Sequence, residues 1–202
     1  YLYWKPHSKF SNPSKSNGII PSGTSARFIK LTSKARKNKK PFAGPGKSDE
    51  RGDFMIYCMS DVHGEIDRFH EMLQLIQFSE EDTLYILGDV IDRKPGGVDI
   101  LKEIMDTPNI IMLLGNHEQM CLDTLGPVSV YGSRSLWQQN GGQDTYGELL
   151  YACSKVERTK ILRFLMSLPD YLELEVNGRQ FYLVHAFPSD KPDERIWNRP
   201  DP

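Results

Sequence analysis

From Phe54 onward, short apolar runs alternate with segments of helical period, and few folds accept that alternation. FMIYCMS (54–60), TLYILGD (83–89) and NIIMLLG (109–115) read as buried strands. Between them, GEIDRFHEMLQLI (64–76) places Ile66, Phe69, Leu73 and Ile76 on one helical face, and GGVDILKEIM (96–105) forms a second, shorter helix. The order is β-α-β-α-β, which predicts an α/β fold with a parallel sheet and right-handed crossovers. Further on, Ser154 and Glu157 form a capping box for KVERTKILRFLMSL, and Pro169 stops that helix. YLELEV and RQFYLVHA are then separated by Asn177-Gly178, a strong hairpin signal.

Each strong polar cluster falls at the C-terminal end of a predicted strand: SDVHG (60–64), GDVIDR (88–93), GNHE (115–118) and VHA (184–186). In an α/β sheet that edge is where ligands bind. Taken singly, each is a turn former, and Asn116 alone is a helix cap. Four converging ends point to a site. Asp61 and His63, two residues apart in extended chain, can face the same side. Carboxylate, imidazole and amide donors with no thiolate suit Mn, Fe or Zn, with Mn placed first. Asp61, His63, Asp89, Asn116 and His185 exceed one tetrahedral set, so two divalent ions sharing a carboxylate are expected, with Asp89 as the bridge. Asn116 can also meet a phosphoryl oxygen. If Asp92 holds one ring nitrogen of His117, the other can donate a proton to a leaving alkoxide. Arg93, with its planar guanidinium, can clasp two phosphoryl oxygens.

Charge divides the chain. Residues 1–54 hold 12 Lys and Arg against 3 Asp and Glu, net +9, whereas residues 55–202 hold 13 against 24, net −11. The first segment is rich in Ser, Pro, Gly and Lys without sustained period, and reads as a basic, disordered extension. A nucleic-acid arm built on KARKNKK with Tyr1, Tyr3 and Trp4 is the sharper alternative, and solvated charge is favoured over it. The chain starts without Met while Met55 opens the first strand, so residues 1–54 are expected to lie outside the native coding sequence. Cys58, Cys121 and Cys153 have neither disulfide nor zinc-knuckle spacing, which suggests a reducing cytoplasm. No apolar run is long enough to span a membrane.

SDVHG, GDVIDR, GNHE and the strand ending in VHA resemble the metallophosphoesterase motifs of the phosphoprotein phosphatase superfamily. GNHEQM, LWQQNGG (136–142), LVHAF and IWNRP (196–200) are most similar to the bacteriophage lambda type and bacterial serine/threonine phosphatases. The resemblance covers Met55 to the end. It implies a four-layer α-β-β-α sandwich, with Asp61 and His63 on a first metal, Asp89 bridging, and Asn116 and His185 on a second. It further implies His117 with Asp92 as the acid pair, and Arg93 and Arg199 on phosphate. The expected activity is hydrolysis of phosphoserine and phosphothreonine in proteins by a metal-bridging hydroxide. Symmetrical dinucleoside tetraphosphates are the alternative substrate, and a vestigial site in a binding module is the alternative class.

Two departures accompany the resemblance. Lys94-Pro95-Gly96-Gly97 follows the DR pair, where the family commonly has Gly. A late G-H-T motif, which supplies one more histidine ligand in the family, has no counterpart after His185, so the domain is expected to be incomplete at its C-terminus and weakly active or inactive. His70 reads as a packing residue rather than a substitute ligand.

Overall fold

The computed structural model describes residues 54–197 in full, together with the backbone of Leu2–Trp4 and Arg27–Thr32. In chain order the strands and helices are β1 (Leu2–Trp4), β2 (Arg27–Thr32), β3 (Met55–Ser60), α1 (Ile66–Leu75), β4 (Thr83–Ile86), α2 (Gly97–Asp106), β5 (Ile110–Met112) and α3 (Asn116–Leu125). They continue with α4 (Ser133–Gln139), α5 (Gln143–Gly147), a π-helical turn (Glu148–Ala152), α6 (Lys155–Ser167), β6 (Tyr171–Val176), β7 (Arg179–Val184) and α7 (Pro192–Ile196).

One sheet has the order β2-β3-β4-β5, the other β1-β7-β6. β3, β4 and β5 run parallel, with Ile56 opposite Thr83 and Leu84 opposite Ile110, and β2 lies antiparallel along the free side of β3. Side-chain alternation splits the parallel strands between two cores. Tyr57, Met59, Leu84, Ile86, Ile110 and Met112 join Phe69, Ile100, Leu101, Ile161 and Leu165 on the helical face. Cys58, Leu87 and Leu113 turn the other way and meet Val176, Phe181 and Leu183 of the hairpin. Helices, parallel sheet and hairpin sheet therefore pack in that order. Near-continuous apolar strands are what burial on both faces requires.

Local chemistry explains two of the element ends. Ser154 accepts the Glu157 N–H (3.2 Å) while Glu157 accepts the Ser154 N–H (2.9 Å), starting α6. Asn177 and Gly178 both adopt positive φ, 54° and 75°, the combination of a two-residue type I′ turn. The segment 1–54, expected to lack regular structure, differs at two places: β1 pairs with β7 and β2 pairs with β3. RFIKLT is a short run of strand-forming composition, too brief to register as a period, and an unpaired edge beside it supplies the missing hydrogen bonds. Arg199 lies outside the described residues, as do the KARKNKK run and Tyr1.

Candidate metal centre and acid pair

Four strand exits build the site, and their backbones are tied before any side chain is considered. The N–H groups of Asp61, His63 and Gly64 donate to the carbonyls of Gly88 (3.3 Å), Asp89 (3.0 Å) and Val90 (2.7 Å). The exits of β4 and β5 touch backbone to backbone: a Cβ on Gly88 would lie 2.5 Å from Gly115 Cα, and one on Gly115 would lie 2.5 Å from the Asp89 N–H nitrogen. Only glycine at both positions lets Asp89 and Asn116 come so close. Non-glycine residues with positive φ gather here. Asp61 (58°), His63 (48°), Asp89 (57°), Asp92 (74°) and Arg93 (70°) all adopt it, and such strain persists only where surrounding bonds enforce it.

Asp89 sits at the centre, fully buried. Its Oδ1 accepts the His117 N–H at 3.1 Å. Its Oδ2 is ringed by the Nε2 atoms of His185 (3.4 Å), His63 (3.7 Å) and His117 (3.9 Å). Asp61 Oδ1 lies 4.0 Å from His63 Nε2, and Asp61 Oδ2 accepts the Ser60 hydroxyl at 2.6 Å. The tautomers follow from the partners. His63 Nδ1 faces the Ile91 carbonyl (3.1 Å) and His185 Nδ1 the Leu87 carbonyl (2.6 Å), so both must donate there and turn the Nε2 lone pair inward. Burial presses the His63 pKa down to about 4 and lowers that of His185, keeping both rings neutral at pH 7. It pushes Asp89 up to about 6, against the pull of His117.

These residues fit a cation. Asp89 Oδ2 and His63 Nε2 are buried without a hydrogen-bond partner among the described residues, which is costly in a protein interior. His185 Nε2 also lies 2.9 Å from Asn116 Oδ1, so a further nitrogen and an amide oxygen face the same point. A positive ion among them satisfies these atoms, and oxygen and imidazole donors suit a hard or borderline divalent metal. Ligand atoms of His63, Asp89 and His117 all lie within 4.8 Å of one another.

His117 is engaged differently from the other two. Its Nδ1 donates to Asp92 Oδ2 at 2.7 Å, and its Nε2 lies 3.2 Å from Arg93 Nη2. Burial opposes charge on this ring, but the Asp92 hydrogen bond and the nearby Asp89 outweigh it and raise the His117 pKa above its ordinary value. Arg93 is exposed. His70 stands apart, paired with Glu103 of α2 at 2.9 Å. The Lys94-Pro95 carbonyls pack onto Gly64, whose absent Cβ would lie 2.1 Å from the Lys94 oxygen.

The calcineurin-like phosphoesterase family model matches residues 54–200. The chain belongs to that family. Among relatives of this phosphoesterase, a symmetrical bis(5'-nucleosyl)-tetraphosphatase of Acidovorax ebreus (strain TPSY) is 31% identical over 133 residues, covering 65% of this chain and 43% of the relative. Serine/threonine-protein phosphatase 2 of Salmonella typhimurium is 29% identical over 140 residues, covering 68% and 61%. The phosphoesterase chain thus spans about half the length of the curated relatives it matches. A solved metallophosphoesterase from Sphaerobacter thermophilus aligns with TM-score 0.46 at 23% identity, over 71% of this chain and 49% of that one. Among the described residues of the phosphoesterase, no helix is long and apolar enough to cross a membrane.

Sequence reasoning missed three residues that hold this site. Glu118, fully buried, accepts the N–H groups of Asp89 (2.8 Å), Val90 (2.8 Å), Ile91 (3.3 Å) and Gly115 (3.1 Å). Its place three residues after Gly115 was the available signal, because a helix-start carboxylate reaches backward to free N–H groups. Thr145 Oγ1 accepts the Asp92 N–H (3.1 Å), and Trp137 Nε1 donates to Asp92 Oδ2 (2.7 Å). Both lie on short helices far away in sequence.

Proposed function

We propose that this chain's site hydrolyses phosphate monoesters, with phosphoserine and phosphothreonine in proteins as its substrates. One observation carries the reading: a buried, unpartnered Asp89 oxygen ringed by three imidazole nitrogens, beside a hydrogen-bonded Asp92, His117 and Arg93 chain. Asp61, His63, Asp89, Asn116 and His185 are the residues that would hold two divalent ions, manganese first. Bound there, such ions supply Lewis acidity toward the phosphoryl oxygen and make water nucleophilic at neutral pH.

The chain's own residues do the rest. Arg93 takes two phosphoryl oxygens and neutralises charge as the ester bond breaks, and Arg199 is assigned to the same phosphate. In the resting state Arg93 donates to His117 Nε2. Phosphate draws the guanidinium away, and the freed nitrogen takes up a proton from solvent water to form the imidazolium, which the raised pKa of His117 favours. His117 then delivers it to the departing alkoxide, while Asp92 holds the ring and balances its charge.

The second reading, cleavage of symmetrical dinucleoside tetraphosphates, is favoured by the Acidovorax relative. Turnover of a phosphoserine peptide and of diadenosine tetraphosphate, measured side by side in manganese buffer with Asp89→Ala as control, tests both. Hydrolysis of the peptide alone is expected. Preference for the dinucleotide moves the assignment to the second reading, and activity equal to that of the Asp89→Ala control removes both.

A further inference from the structure

The Asp92 carboxylate is the point on which His117 turns, yet only one of its oxygens is held. Oδ2 receives both His117 Nδ1 and Trp137 Nε1, each at 2.7 Å, while the buried Oδ1 has no hydrogen-bond partner among the described residues. One donor on a carboxylate oxygen leaves the group free to rotate about its terminal bond. Two donors on the same oxygen define its direction. The second donor here is rigid: Trp137 is fully buried, its indole stands edge-on to Tyr146 (6.0 Å, 77°), and a Cβ on Gly142 would lie 2.3 Å from its Nε1.

The backbone next to Asp92 is held by the same segment. Asp92 and Arg93 occupy positive φ in succession, 74° and 70°, which Asp tolerates and Arg adopts only at a cost. Thr145 Oγ1 accepts the Asp92 N–H at 3.1 Å, and the Gly141 carbonyl accepts the Arg93 N–H at 3.0 Å. A tryptophan that only filled the core could give its N–H to any carbonyl. This one gives it to the carboxylate that orients the proton donor.

We infer that Trp137 is a positioning residue for proton donation by His117, and that Gly141 and Thr145 extend the same clamp to the turn that presents Arg93. The inference rests on the phosphoester reading above. Removing the indole N–H leaves the His117–Asp92 contact but lets the carboxylate swing, so the loss falls on substrates whose leaving group needs a proton.

The test compares Trp137→Phe, Gly142→Ala and His117→Asn on phosphoserine and on 4-nitrophenyl phosphate, with bound manganese measured for each. Trp137→Phe is expected to lower kcat on phosphoserine about 10–100-fold, part of the roughly 10²–10⁴ that a general acid supplies. Its kcat on the nitrophenyl ester, whose leaving group is already acidic, should fall less than about threefold, with KM and manganese content unchanged. Gly142→Ala, which pushes the indole while keeping its N–H, should show the same selectivity, and it decides the matter if Trp137→Phe does not fold. Hydrogen exchange at His117 Nδ1, read by NMR on metal-free protein, should quicken by about 10-fold or more in Trp137→Phe as the shared proton opens to solvent. Equal losses on both esters, or normal phosphoserine turnover with unchanged exchange, would overturn the role of Trp137. A His117→Asn variant without leaving-group selectivity removes the acid reading itself, and the two failures are therefore distinct.

Discussion

Two turns in this molecule each place consecutive residues at positive φ, and they do so for opposite reasons. Asn177-Gly178 joins β6 to β7 with residues that adopt the left-handed region readily, at an exposed tip. Asp92-Arg93 repeats the two positive φ angles, and here an arginine, which resists them, stands where the hairpin has glycine. Bonds from Gly141, Thr145 and Trp137 hold it, with Glu118 fastening the residues just before. The first turn is local chemistry expressed directly. The second is imposed by tertiary structure, and its reward is a carboxylate and a guanidinium delivered to opposite sides of His117.

If that contrast is right, the imposed turn fails first where it reacts. Asp92→Ala should lower turnover of phosphoserine about 10²–10⁴-fold while manganese content stays near that of the parent chain, read by steady-state kinetics and metal analysis. A normal rate would mean that the turn presents nothing catalytic. Next comes the fastening. Glu118→Ala leaves four buried N–H groups without their acceptor and should reduce stability by about 3 kcal/mol, read by urea unfolding. A change within experimental scatter would show that the turn stands without it.

The same substitution made in both turns sharpens the contrast further. Arg93→Gly relieves left-handed strain of about 1–2 kcal/mol against roughly 0.4–1 kcal/mol of added chain entropy. It should therefore stabilise the fold by about 0.5–1 kcal/mol in denaturant melts while activity falls. Asn177→Gly starts from a residue already at ease, and should alter stability by less than about 0.5 kcal/mol and activity not at all. Similar gains at the two sites would erase the distinction between chosen and imposed backbone.

What could be read from sequence follows the same division. Ser154 with Glu157, Asn177-Gly178 and the helical face of Ile66, Phe69, Leu73 and Ile76 declare themselves within a few residues, and the structure uses each as read. The strand exits bearing Asp61, Asp89 and Asn116 were legible because each apolar run ends abruptly in a polar cluster. Trp137 and Thr145 were not, since their function is a bond to a residue 45 or 53 positions away, and of the bonds to Glu118 only that from Gly115, three positions off, left a local trace. α4 and α5, at 7 and 5 residues, are too short for a period to emerge. β2 escaped notice for the same reason, being defined by the edge it covers more than by its own pattern.

The contact between Gly88 and Gly115 reaches beyond making room. The main chains that carry Asp89 and Asn116 are pressed together, so their Cα positions are held whatever rotamers the side chains choose. Their separation is a fixed gauge. Calcium holds its oxygens about 0.3–0.5 Å farther out than magnesium does, and side-chain rearrangement ordinarily absorbs such a difference. Here the two main chains cannot part, so in the metal site proposed above the fit to an ion's radius would fall to side-chain torsions alone.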